Sequence, residues 1–151
     1  MNRNILLGLF VATAALMTAC STKTCKVDGN VTPGSAEDFA ANVPNTVYFN
    51  FDKSDLTEAA KKRVSAQACW LKQYSGTKVT VEGHTDIRGT AEYNMALGEA
   101  RANSTAKEIE SQGVEASRVT TVSFGKERVI ATGTTEADHA KNRRATTVVG
   151  N

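Results

Sequence analysis

Along this chain, short stretches with a two-residue apolar rhythm alternate with longer ones in which apolar positions return every three or four residues. Thr46-Val47-Tyr48-Phe49-Asn50-Phe51 is β-branched and aromatic and is closed by Asp52-Lys53-Ser54, which predicts a first strand. Beyond it Ala60, Val64, Ala68 and Leu71 recur at steps of four, four and three, the spacing of one helix face. Ser54 or Asp55 can cap its start, and Gly76 lies just past its end. Lys78 to Glu82 alternates again, with Val79 and Val81 on one side. The turn from Gly83 to Gly89 leads into a second helical pattern, from about Ala91 to Gln112, stopped at Gly113. Met95, Ala102, Ala106 and Ile109 trace one stripe of that helix, and the small Gly98 and Ala102 let it lie close to a sheet. A third strand (Val119 to Phe124), a Gly- and Thr-rich loop, a short helical stretch (Glu136 to Lys141) and a last strand (Ala145 to Val149) complete the order β-α-β-α-β-(α)-β. Repeated β-α-β units call for right-handed crossovers, so helices are expected on one face of a sheet that contains parallel pairs.

Ahead of the first strand neither rhythm is present. Residues 20–42 are rich in Ser, Thr, Lys, Gly, Pro and Ala and read as a flexible tether with a reach of roughly 25–30 Å, leaving 43–151 as the folded domain. Ile5 to Ala19 is a nearly unbroken apolar run after the single cation Arg3. It is shorter than the roughly 20 residues that cross a bilayer, so residues 1–19 are expected to be a cleaved signal peptide. Its end, Leu16-Met17-Thr18-Ala19-Cys20, resembles the lipobox of bacterial lipoproteins, with Met17 where Leu is commonest; Ala12-Thr13-Ala14 offers an ordinary signal peptidase an alternative. The lipobox resemblance implies lipidation of Cys20 as the first mature residue. Two or three acyl chains, at about 0.8 kcal/mol per buried CH₂, make a lasting anchor. Ser21 rather than Asp after the cysteine implies, by the lipoprotein sorting pattern, the outer membrane, with the domain facing the periplasm.

Composition narrows the field. A chain of 151 residues, 40% hydrophobic and 23% charged, fits one soluble domain rather than a disordered segment. Eighteen Lys and Arg against sixteen Asp and Glu leave +2, too little for a polyanion binder that works by bulk charge, so nucleic acid is not an expected partner. Cys25 and Cys69 can pair in an oxidising periplasm, within one chain or across two; Cys69, beside Trp70 and Leu71, equally suits a small apolar filler.

Candidate chemistry gathers in Glu82-Gly83-His84-Thr85-Asp86-Ile87-Arg88-Gly89-Thr90, directly after a strand, where α/β units place ligand groups. Asn94, Leu97 and Arg101 form a stripe adjoining the apolar one, which aims Arg101 at this loop. Asp86 and Arg101 then have two readings. They form a plain salt bridge, or they face one ligand, Asp86 holding an ammonium and Arg101 a carboxylate, which makes the ligand a zwitterion. An enzyme reading takes Glu82, His84, Asp86 and His139 as zinc ligands of a cell-wall hydrolase. The spacing supports it poorly, because His84 and Asp86 lie two apart in a glycine loop with no HExxH helix and no Ser or Cys nucleophile has a paired base. No catalytic residue, metal or cofactor is therefore expected.

Gly83-His84-Thr85-Asp86-Ile87-Arg88-Gly89-Thr90, Glu92-Tyr93-Asn94, Leu97-Gly98-Glu99, Arg101-Ala102 and Lys141-Asn142-Arg143-Arg144 together resemble the OmpA-like peptidoglycan-binding domain family, over about Thr46 to the end of the chain. Val47 to Asp52, Trp70-Leu71, Thr121 to Glu127 and the lipobox place the likeness nearest to its lipid-anchored branch, with departures at Ile87, Ala100 and Val129. The resemblance implies an α+β fold, a mixed four-stranded sheet with helices packed on one face. It implies as ligand the zwitterionic end of meso-diaminopimelate in the peptidoglycan stem, held by Asp86 and Arg101. Phe51 and Asp52 would line the same pocket, with Thr85, Asn94 and Arg143 contributing. Each of three has a structural alternative: Phe51 as core, Asn94 as a helix cap, Arg143 as a solvated charge. The implied partners are peptidoglycan, the periplasmic β-propeller TolB through a surface overlapping the pocket, and the inner-membrane protein TolA. The implied function is a non-enzymatic tether between outer membrane and cell wall within the Tol envelope system, serving cell division and envelope integrity. A module acting mainly through Tol proteins is the alternative.

Overall fold

Among the described residues, every α-helix begins at a hydroxyl. Ser35, Thr57, Thr90 and Thr135 each accept a bond from the backbone N–H three residues on, satisfying a donor that the helix leaves orphaned. The first long helix is therefore capped by Thr57 rather than by Ser54 or Asp55. The computed structural model describes residues 31–150. In chain order the elements are α1 (Ala36–Asn42), β1 (Thr46–Tyr48), α2 (Glu58–Gln73), β2 (Val79–His84), α3 (Ala91–Ser111), β3 (Val119–Gly125), α4 (Glu136–Asn142) and β4 (Arg144–Val149), with a 3₁₀ turn at Ala116–Arg118.

The strands form one sheet in the order β1-β4-β2-β3. β2 and β3, joined by α3, run parallel, while β4 lies antiparallel to both β1 and β2. This is the mixed four-stranded sheet expected of the α+β fold. Val47, Val79, Val81 and Ala145 of the sheet share one core with Val64, Ala68 and Leu71 of α2 and Ala102, Ala106 and Ile109 of α3. Contact between α3 and the sheet is backbone on backbone: a Cβ on Gly83 would stand 1.8 Å from the Gly98 carbonyl oxygen. Met95 departs from the predicted stripe and is 43% exposed. The start of α3 is pressed against Gly125 so closely that a Cβ there would lie 3.0 Å from the Met95 nitrogen, which leaves no room for a side chain between them.

Two boundaries differ from the sequence expectation. β1 ends at Tyr48 rather than Phe51, because Asn50 to Lys53 turns, closed by a bond from Lys53 N–H to the Asn50 carbonyl and by a left-handed Asp52 at φ 56°. The second concerns the tether predicted over 20–42, whose last part is not a tether but α1. Phe39 is buried edge-on against Trp70, 4.9 Å between ring centroids. Asp38, fully buried, accepts bonds from Gly34 N–H (2.8 Å), Asn42 Nδ2 (2.8 Å) and the Trp70 indole (3.1 Å). A seven-residue helix with a single aromatic is too short to show a period, which is why the apolar pattern missed it. Burial by itself would raise the Asp38 pKa, but these three donors outweigh it and hold the carboxyl below 3.8. The predicted signal peptide, Cys20 and the Cys25 half of the candidate disulfide lie outside the described residues.

Candidate functional site

Strand β2 ends in a register shift between Gly83 and His84, and Thr85 N–H then bonds to the Gly125 carbonyl at 2.9 Å. That bulge turns the chain out of the sheet and starts the polar loop. Asp86 accepts from the Arg88 backbone N–H at 3.1 Å, an Asx-type turn that folds the loop back on itself. Gly89 takes φ 91°, a left-handed conformation that a side chain would strain. Asn94, reaching up from α3, donates its amide to the Arg88 carbonyl (2.7 Å) and the Thr90 carbonyl (2.9 Å). Asn94 is thus a clamp on the loop.

Arg101 is buried completely, and its bonds explain why. Nε donates to the Lys53 carbonyl (2.9 Å), Nη1 to the His84 carbonyl (2.9 Å) and Nη2 to the Asn50 carbonyl (3.3 Å). One guanidinium therefore joins α3 to the end of β2 and to the turn after β1. A guanidinium has five N–H groups, so two remain beyond these three. Burial lowers the Arg101 pKa to about 10, with Asp86 opposing the shift, and the group stays cationic at neutral pH.

Asp86 does not pair with Arg101. Its partner is Arg88, whose Nη2 and Nε lie 2.6 and 3.2 Å from the two carboxylate oxygens. Burial would raise the Asp86 pKa, but the Arg88 bonds prevail and the carboxyl lies below its usual value, ionised at neutral pH. Arg143 stands on the far side, with Nη1 3.7 Å from Asp86 Oδ2, Nη2 2.8 Å from Glu136 and Nε on the Phe49 carbonyl at 3.0 Å.

Between these groups lies an open pocket of about 280 Å³ lined by Phe51, Asp52, Thr85, Asp86, Arg88, Gly89, Tyr93, Asn94, Leu97 and Arg101. Six of the seven sequence candidates, Phe51, Asp52, Thr85, Asp86, Asn94 and Arg101, border it. Arg143 does not, and acts behind Asp86. Phe51 is 57% exposed and so forms a wall of the pocket rather than core. Asp52 accepts from the Tyr93 hydroxyl, while Thr85 spends its hydroxyl on the Asp86 carbonyl. Arg88, Tyr93 and Leu97 were missed as pocket residues. The step of four from Tyr93 to Leu97 to Arg101 puts them on one helical stripe and was available as a signal.

The zinc reading fails on geometry. Among the described residues no three His, Cys, Asp or Glu side chains come together to share an ion. His84 is buried and stacks on Phe124 at 5.6 Å, and burial, helped by Arg144 and Arg128, lowers its pKa to about 4.

Residues 48–143 match the OmpA family. The chain is 45% identical over 122 residues to the peptidoglycan-associated lipoprotein of Agrobacterium fabrum, covering 81% of this chain and 69% of that one. Similarity to the peptidoglycan-associated lipoprotein of Haemophilus influenzae is 40% identity over 152 residues, covering 96% and 97%. The crystal structure of the peptidoglycan-associated lipoprotein from Burkholderia pseudomallei superposes with a TM-score of 0.68 at 37% identity, over 70% of this chain and 90% of that one.

Proposed function

Because this chain belongs to the OmpA family, and within it to the peptidoglycan-associated lipoproteins, we propose that it ties the outer membrane to the cell wall by binding peptidoglycan noncovalently. The work is adhesion, with no bond made or broken. The observation that carries this function is a pocket with opposite charges on two walls that do not cancel each other. Asp86 is ionised on one side; Arg101, on the other, keeps two N–H groups beyond its backbone bonds. Such a pair complements a ligand bearing an ammonium and a carboxylate a few ångströms apart. The end of meso-diaminopimelate in the peptide stem is that ligand, with Phe51 and Leu97 supplying apolar contact to its methylene chain.

We further assign the anchor to Cys20, acylated and inserted in the outer membrane with the domain in the periplasm, on the strength of the lipobox. We also propose TolB as a partner at the rim of the same pocket, a reading supported by the exposure of Phe51, Ile87 and Tyr93, so that wall and TolB compete; TolA is the second proposed partner. Retention of the protein on purified peptidoglycan, challenged with soluble meso-diaminopimelate, tests the central assignment. Release by the amino acid is expected, and retention indifferent to it would refute the pocket. For the anchor, Cys20→Ser should free the protein from membranes, and unchanged membrane retention would refute it.

A further inference from the structure

If the ligand's ammonium belongs on Asp86, as the function above requires, that position is already taken by the chain itself. Arg88 covers both carboxylate oxygens, at 2.6 and 3.2 Å, and its guanidinium lies 4.2 Å from the centre of the Phe51 ring. A cation held between a carboxylate and an aromatic face is where a bound ammonium would sit. Arg88 also has somewhere else to go. Its Nη1 is 3.6 Å from Glu136, an acid 65% exposed, and the Arg88 side chain is itself 39% exposed, so rotation outward strands no buried charge. Arg143, the other cation near Asp86, is 8% exposed and fastened to the Phe49 carbonyl, so it cannot make the same movement cheaply.

We propose that Arg88 is an internal counter-ion of the pocket, displaced from Asp86 onto Glu136 when the ligand's ammonium arrives. Binding is then an exchange of one cation for another. Two properties follow. The affinity of the site is set below what Asp86 and Arg101 alone would give, since the ligand must first break a bidentate ion pair. Selectivity is sharpened, because a ligand with an anion but no cation leaves Arg88 on Asp86 and engages Arg101 alone, and an amine lacking a carboxylate must break the pair without any return from Arg101.

The test is titration of the full-length protein with meso-diaminopimelate, wild type against Arg88→Gln, with urea unfolding of both to establish that the variant is folded. Arg88→Gln should bind about five-fold more tightly, the size of a partly exposed ion pair. In wild type, the Arg88 Nε–H resonance, recognised by its absence from the variant, should move on saturation. A variant that binds equally or more weakly, or an unmoved Arg88 resonance in ligand-saturated wild type, overturns the exchange while leaving the binding function intact. Binding by the variant alone also overturns the exchange, since Arg88 would then block the pocket rather than yield it. Failure of both proteins to bind overturns the exchange and the diaminopimelate assignment together.

Discussion

Asp86 and Arg101 differ in what else they do, and their substitutions should differ accordingly. Asp86→Asn keeps the shape of the loop and an acceptor for the Arg88 backbone, so its stability should change by about 1 kcal/mol or less. Peptidoglycan binding should nonetheless fall by roughly 2–5 kcal/mol, the loss expected when one end of a charged ligand is left unpaired. Sedimentation with purified sacculi alongside urea unfolding measures both. Arg101→Ala is the less clean variant, since it strips donors from three backbone carbonyls and should destabilise by about 3 kcal/mol or more. The sequence disclosed where Arg101 stands, because helical spacing sets which face a residue occupies. It concealed these three bonds, two of which depend on a turn 48 to 51 positions earlier in the chain and the third on the end of β2, 17 positions earlier. The partner of Asp86 was likewise hidden in plain view: an Asx turn brings the residue two ahead onto the carboxylate, so Arg88 was better placed by local geometry than Arg101 was by helix spacing.

At the scale of elements, the site depends on how closely α3 lies on β2. Adding a methyl at Gly83 would drive the sheet and helix apart at the Gly98 carbonyl. Gly83→Ala should therefore cost roughly 2 kcal/mol or more of stability. It should also weaken peptidoglycan binding in a variant that remains folded, since Arg101 rides on α3 and Asp86 on the loop after β2; retained binding at wild-type strength would show that the close approach does not position the pair. Strands and long helices were legible because each repeats its period several times. Helix α1 was not, since its seven residues hold one buried aromatic and one buried acid. The foldable unit thus begins before Val43. A chain starting at Thr32 should unfold cooperatively and more stably than one starting at Val43, and Asp38→Ala should cost about 2–3 kcal/mol by leaving the Trp70 indole without its charged acceptor. Paired urea curves decide both.

For the molecule as a whole, stability should fall twice on acidification. His84 has a folded pKa of about 4 against 6.5 in a free histidine. As pH drops below 6.5 the unfolded chain takes up a proton that the folded one refuses. Stability should decline until pH reaches about 4, by about 3 kcal/mol, and His84→Gln should flatten that part of the profile. Asp38 acts with the opposite chemistry. Its folded pKa lies below 3.8, so its contribution is complete above that value and is lost as pH falls through 3.8 and beyond. Unfolding free energies measured from pH 7 to 3 on wild type and the two variants separate the steps.

Under the anchor proposed at Cys20 and the grip proposed at the pocket, helix α1 acquires a mechanical meaning. Tension between membrane and wall would then enter the described domain ahead of Ser35, and the first helix it meets among the described residues is this short one, held to α2 by one carboxylate and one aromatic ring. Its seven residues, drawn from helix to extended chain, lengthen by roughly 13 Å. Extension of α1 would therefore let out a little slack before the sheet or the pocket bears the full load.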